Sequence, residues 1–174
     1  MKAFLVGFVA AIVVLPVGAA GIFRLGLVDV NADTSPPAWE TATMQDAVHA
    51  SVARAAAGLS MPFPTDERRL VEGGKLYMNG CAGCHGELGK PFGQDRNNYP
   101  PVPQLPHIGT QYTEPQAYWV VKHGIRMTAM SAYGRFYSED QLWSIAAFVH
   151  DIRNLPPGVT EKILSKAADS GSSH

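Results

Sequence analysis

Cysteine is nearly absent from this chain, with two residues in 174. A zinc site built on them needs two further ligands at close spacing, and the remaining histidines are scattered. Charge of one sign is also lacking. The formal net charge is −1 and neither sign forms a run, so no long-range field points to nucleic acid or to a strongly charged partner. Internal repeats and alternating segments of strand length are missing as well, which leaves helices and loops. The 13 prolines and 17 glycines gather outside the expected helices, as in a loop-rich fold wrapped around something. The length suits one ordinary domain with appendages.

What the chain does hold is concentrated. Both cysteines fall in Cys81-Ala82-Gly83-Cys84-His85, the attachment signature of c-type haem. Cys81 and Cys84 are spaced to form thioethers with the two vinyl groups of one porphyrin. His85 then stands beneath the ring, where its Nε2 binds iron as the proximal ligand. A thioredoxin-like pair shares the spacing but expects strand-rich βαβ flanks, and the flanks here are helical and glycine-rich. A plain disulfide leaves His85 as coincidence. The expected cofactor is one covalently attached haem c with its iron.

One long apolar run precedes this motif. Residues 3–23 carry no charge and are bracketed by Lys2 and Arg24, enough to span a bilayer. The rival reading is a cleaved signal peptide, with Pro16 as a helix break before small residues at 17–20. The apolar run continues through Gly21-Ile22-Phe23 and resumes at Leu25-Gly26-Leu27-Val28, which favours an uncleaved anchor. Either reading sends the rest of the chain to the oxidising, periplasmic side of the cytoplasmic membrane: single-pass if anchored, soluble if cleaved.

The expected divisions are an anchor or signal segment over 1–28, a linker with an amphipathic helix over 29–64, a haem domain over 65–158, and a partly disordered extension over 159–174. Residues 31–37 read as a turn leaving the membrane. A helix is expected over 41–57, built on Met44, Val48 and Val52; it reads first as an amphipathic connector, with packing against the domain or the membrane surface as the other reading. A second runs over 66–78, with Asn79-Gly80 as its C-terminal cap. Residues 86–111 are proline-rich and polar, hence loop. Thr113 is an N-cap for a helix to His123, with Pro115 in its first turn and Gly124 ending it. Ser138 and Gln141 form a capping-box pattern opening the last helix, which carries Leu142, Ile145, Ala146, Phe148 and Val149 and stops before Pro156-Pro157. The tail, 167–174, is expected to be unstructured.

The opposite side of the iron needs its own ligand or stays open. Residues 124–134 place two thioethers, Met127 and Met130, in one loop between helices, about 45 residues beyond His85. Thioether sulfur is a soft ligand that favours ferrous iron. Met130 is the expected ligand and Met127 the second candidate; His107, His123 and His150 stand in reserve. Met44, Met61 and Met78 have weaker claims, Met78 being too near Cys81 to reach the far face. Arg126 and Arg135 flank the loop and can pair with haem propionates or an acidic partner, with solvated charges as the default. Trp119 and Tyr112 either line the haem pocket or pack between helices.

In this order of motifs the chain resembles the class I cytochromes c, specifically membrane-anchored bacterial single-haem members, over roughly residues 65–155. The resemblance implies an all-α fold of helices wrapped around one covalently bound haem, with an N-terminal transmembrane helix. It implies that Gly73 and Tyr77, eight and four residues before Cys81, let the N-terminal helix cross the C-terminal one closely against Trp143 and Phe148. It further implies that a proline carbonyl of the 99–105 loop, from Pro100 or Pro101, accepts a hydrogen bond from His85 Nδ1. Relatives follow the ligand methionine with proline, whereas this chain has Met130-Ser131-Ala132, so a less rigid loop and a more displaceable sulfur are expected.

A haem with both axial positions filled by protein leaves a substrate nowhere to bind, so outer-sphere electron transfer is the expected function rather than enzymatic turnover. The chain reads as a tethered carrier or an electron-transfer subunit of a redox complex. Its expected partners are redox proteins (a dehydrogenase, an oxidase or another cytochrome) and the membrane, not nucleic acid or a small-molecule substrate. The alternative is a haem protein with an open or labile distal site, binding gases or acting like a peroxidase. A subunit whose haem domain serves chiefly for docking is a third class, compatible with the first.

Overall fold

The structure, a computed structural model, describes residues 1–31, 33–93 and 98–170. Among these residues there are eight helices and no strand. The chain divides into two compact units, Met1–Pro36 and Pro37–His174.

The first unit is mainly helix α1, Lys2–Arg24, which continues through Pro16 instead of breaking there. Its large apolar side chains are exposed along its length, among them Phe4, Leu5, Val14, Leu15 and Phe23. Helix α1 is long and apolar enough to cross a membrane. Ala32 of the expected turn lies outside the described residues.

The second unit opens with α2, Ala38–Ala55, beginning three residues before the expected start because Pro37 serves as its N-cap. Helix α2 packs on the domain. Val52 and Ala56 are buried, His49 meets Tyr112 edge to face, Gln111 donates to His49 Nε2 (2.9 Å), and Thr41 bonds the Tyr99 hydroxyl.

Helix α3, Glu67–Gly80, starts where Asp66 Oδ1 accepts from Arg69 N–H (2.8 Å). Its buried residues, Leu70, Gly73, Gly74 and Tyr77, recur at the spacing of one helix face. The helix runs through Asn79-Gly80, the pair expected to cap it, and delivers Cys81 directly at its end. Gly80 is small for another reason: a β-carbon there would lie 2.5 Å from the Tyr137 hydroxyl.

A single-turn α4, Ala82–His85, follows. Residues 94–97 of the long loop are outside the described set, and the rest of the loop contains a short α5, Leu105–Ile108. Helix α6, Glu114–His123, has the expected bounds, with Gln116 Oε1 accepting from Thr113 N–H (3.0 Å). Helix α7, Glu139–Asp151, opens on the expected reciprocal pair of Ser138 and Gln141. It ends at Asp151, some residues before the prolines.

Every residue of α7 from Leu142 to Val149 is buried, the mark of a helix covered on all sides. Helices α3 and α6 both pack on it. The last helix is not α7 but α8, Val159–Ser170, which packs on α3 through Val159 and Ile163. Residues 171–174 of the expected tail are outside the described set.

Two adjacent glycines make this packing possible. A β-carbon on Gly73 would lie 1.9 Å from the Ser144 carbonyl oxygen of α7. One on Gly74 would lie 2.3 Å from Ile163 Cδ1 of α8. The crossing is completed by Tyr77 against Phe148, ring centroids 5.2 Å apart. Trp143 was expected at this crossing too, but it stacks on Tyr118 of α6 at 4.0 Å and 9°.

Candidate haem-binding site

Helix α3 ends by handing its last carbonyls to the cysteine motif. Cys81 N–H donates to Tyr77 O (2.8 Å), and His85 N–H donates to Cys81 O (2.9 Å). Tyr77, with no exposed surface, sends its hydroxyl to the carbonyls of Gly86 (2.7 Å) and His85 (3.1 Å). Burial raises the Tyr77 phenol well above its ordinary range, keeping it a donor. The tyrosine thus fixes the far end of the motif from beneath.

The two cysteines are not joined as a disulfide, and Cys81 is half-buried while Cys84 is exposed. Burial pushes Cys81 up to about 11, and the neighbouring Cys84 adds to the rise. A reactive dithiol of the thioredoxin kind needs the opposite shift, toward thiolate. Among the described residues, no group of three or more His, Cys, Asp or Glu side chains is placed to hold a metal ion, so a zinc reading has no support.

His85 Nδ1 lies 3.0 Å from the carbonyl oxygen of Pro103, not of Pro100 or Pro101. Proline 103 holds this place because its neighbour is anchored: buried Gln104 donates from Nε2 to Cys84 O (2.9 Å). Burial lowers the His85 pKa, and the Pro103 bond partly offsets the effect. A neutral imidazole with its proton on Nδ1 leaves the Nε2 lone pair free, the state that iron ligation requires. The donor set therefore fits a covalently held haem: two thiols at the end of a helix and an oriented neutral histidine. Gln104 had no signal in the sequence, where it is one polar residue in a proline-rich loop.

The two methionines of the 124–134 loop are placed differently. Met127 is 92% exposed, with a left-handed backbone at φ 60°. Met130 is half-buried and packs against the core cluster that Cys81, Met78 and Tyr133 also join. The loop folds back on the end of α6: Tyr133 and Gly134 N–H donate to Val121 and Lys122 carbonyls, each at 3.0 Å. The Tyr133 hydroxyl donates to Gly80 O (3.2 Å), joining the loop to the end of α3. Gly124, at φ 68°, lies directly under the loop, where a β-carbon would be 2.6 Å from Met130 O.

The other candidates stand apart from this arrangement. His107, His123 and His150 are exposed and pair with Phe92, Trp119 and Asp151 respectively. Arg126 and Arg135 are exposed, while Tyr112 and Trp119 pack against His49 and His123.

No curated protein and no solved structure matches the chain. One family model does, over residues 68–149, from α3 into α7 and across the whole candidate site; it is described as Cytochrome C oxidase, cbb3-type, subunit III. With the all-helical fold and the Cys81-Cys84-His85 geometry, this match supports a c-type cytochrome domain over that stretch of the chain.

Proposed function

We propose that this chain is a single-haem electron-transfer protein held at the outer face of the cytoplasmic membrane by α1. The observation that carries the reading is the pairing of His85 Nδ1 with the Pro103 carbonyl (3.0 Å) beside Cys81 and Cys84, which leaves the Nε2 lone pair available to a metal. When bound, haem c supplies a one-electron ferrous–ferric couple. Cys81 and Cys84 would hold it covalently, and His85 and Met130 would ligate its iron. Met130 is preferred over Met127 because its side chain packs against the same core cluster as Cys81, whereas Met127 faces solvent. Arg126 and Arg135, exposed beside the loop, are available to propionates or to an acidic partner.

The family matched over residues 68–149 is described as an oxidase subunit, so the partner class proposed is an oxidase or a protein that feeds one. A tether confines diffusion to the membrane plane and raises the effective concentration near such a partner. The chain then serves as a tethered carrier or as a fixed electron-transfer subunit.

The test is the mass and spectrum of the protein made in cells able to attach haem. A mass increment of one haem is expected, with Met130→Ala altering the axial spectrum in both oxidation states and Met127→Ala leaving it unchanged. Rapid stoichiometric carbon monoxide binding by the reduced wild type would instead mean an open distal site, the gas-binding or peroxidase-like alternative.

A further inference from the structure

The loop that presents Met130 is closed on itself by backbone hydrogen bonds and one side chain. Thr128 Oγ1 accepts from Met130 N–H (3.0 Å) and donates to Ile125 O (2.8 Å). Thr128 N–H reaches the same carbonyl (3.3 Å), and Ile125 N–H returns to Met130 O (3.0 Å). Both backbone groups of Met130 are therefore held within a six-residue ring, and the hydroxyl of Thr128 is the only side-chain atom among these contacts. Gly124 forms the floor of the ring against Met130 O, so the ring rests on the end of α6.

We infer that Thr128 is the positioning residue for the distal ligand, performing from the N-terminal side of Met130 the stiffening that a proline after it would provide. This inference rests on the proposal that Met130 binds iron. Residue 131 is serine, which leaves the backbone after Met130 without a fixed φ. Restraint must then come from hydrogen bonds: beside the backbone bond from Ile125 N–H to Met130 O, the Thr128 hydroxyl ties Met130 N–H to Ile125 O. Sulfur is a weak ligand whose hold depends on how seldom the loop opens. An external ligand binds only the opened form, so its apparent affinity scales with the open fraction. Removing the Thr128 hydroxyl raises that fraction without touching the sulfur.

The experiment is titration of the ferric, haem-loaded protein with imidazole, followed by absorbance, for wild type, Thr128→Val, Thr128→Ser and Met130→Ala. Valine keeps the shape of threonine and removes the hydroxyl; serine keeps the hydroxyl. Thr128→Val is expected to bind imidazole about tenfold more tightly than wild type, the order for losing one net hydrogen bond that closes the loop. Thr128→Ser should match wild type within about twofold, and Met130→Ala should bind tightest, since nothing competes. Wild-type affinity in Thr128→Val, with tightened binding in Met130→Ala, overturns the role of Thr128 alone. Unchanged affinity and spectrum in Met130→Ala overturn the ligand assignment beneath it. A purely structural role for Thr128 would lower the urea midpoint of Thr128→Val and Thr128→Ser alike without separating their imidazole affinities, and that outcome also overturns the inference.

Discussion

Gly73 carries the sharpest residue-level constraint in the molecule, since the Ser144 carbonyl and the Phe148 β-carbon occupy the space a methyl group would need, at 1.9 and 2.9 Å. Two effects compete when alanine replaces it. Helix propensity favours alanine by about 1 kcal/mol. Overpacking against a backbone carbonyl, which cannot rotate aside as a long side chain does, costs about 3 kcal/mol. The second wins, so Gly73→Ala is expected to lose about 2 kcal/mol, read as a lower urea midpoint of the haem-loaded protein. Gln104 makes a contrasting case. Gln104→Leu keeps the bulk but removes the donor to Cys84 O, leaving a carbonyl at the attachment helix unpaired. The expected cost is about 1–3 kcal/mol in the urea midpoint. The same variant should lower the yield of haem-attached protein, measured by mass.

At the scale of elements, α6 and α7 are clasped at the surface by Lys122, Glu139 and Tyr118. Lys122 Nζ donates to Glu139 (2.6 Å) and to the Tyr118 hydroxyl (2.9 Å), and Tyr118 also donates to Glu139. The Lys122 ammonium first, then the Tyr118 hydroxyl, hold the Glu139 carboxyl below its ordinary 4.5. A carboxyl held low in the folded state adds stability that is present above its unfolded pKa and is lost as pH falls through the folded one. Glu139 is largely exposed and Lys122 partly so, and solvent screening keeps the contribution below about 1 kcal/mol. Glu139→Gln is therefore expected to cost that much at neutral pH and to flatten the decline of stability below 4.5, measured by urea unfolding across pH.

The bounds of α6 and the start of α7 were legible because their caps are local: Thr113, Gln116, Ser138 and Gln141 act within one turn of each helix. What escaped the sequence depends on distant atoms. Gly80 reads as a stop signal, yet the helix includes it, and its missing β-carbon makes room for the Tyr137 hydroxyl. Helix α8 covers residues expected as a partly disordered extension and runs to Ser170, into the stretch 167–174 expected to be unstructured; its signal is distant, since buried Ile163 meets Gly74 about 90 residues away. Within the site, the cysteine–histidine spacing was readable as chemistry. Which proline faces His85 was not, because that register is set by buried Gln104 and not by the prolines.

For the whole molecule, the matched stretch 68–149 and the folded unit do not coincide. The unit starts at Pro37, and both α2 and α8 lie outside the matched residues. If the matched stretch were self-sufficient, α2 would be a passive link between α1 and the haem domain. Its buried Val52 and Ala56, and its bonds to Tyr99 and Gln111 on the loop between the cysteine motif and α6, argue that it is part of the fold. Two truncations behind a cleaved export leader separate these views. A chain beginning at Pro37 is expected to be soluble and to keep the unfolding midpoint of the full protein. A chain beginning at Thr65 forfeits the burial of Val52 and Ala56, about 3 kcal/mol in apolar area alone. Its midpoint should fall accordingly, and Tyr99, in the same loop as Pro103, loses its hydroxyl partner Thr41. Equal midpoints for the two truncations would reduce α2 to a spacer and return the functional unit to the bounds of the family match.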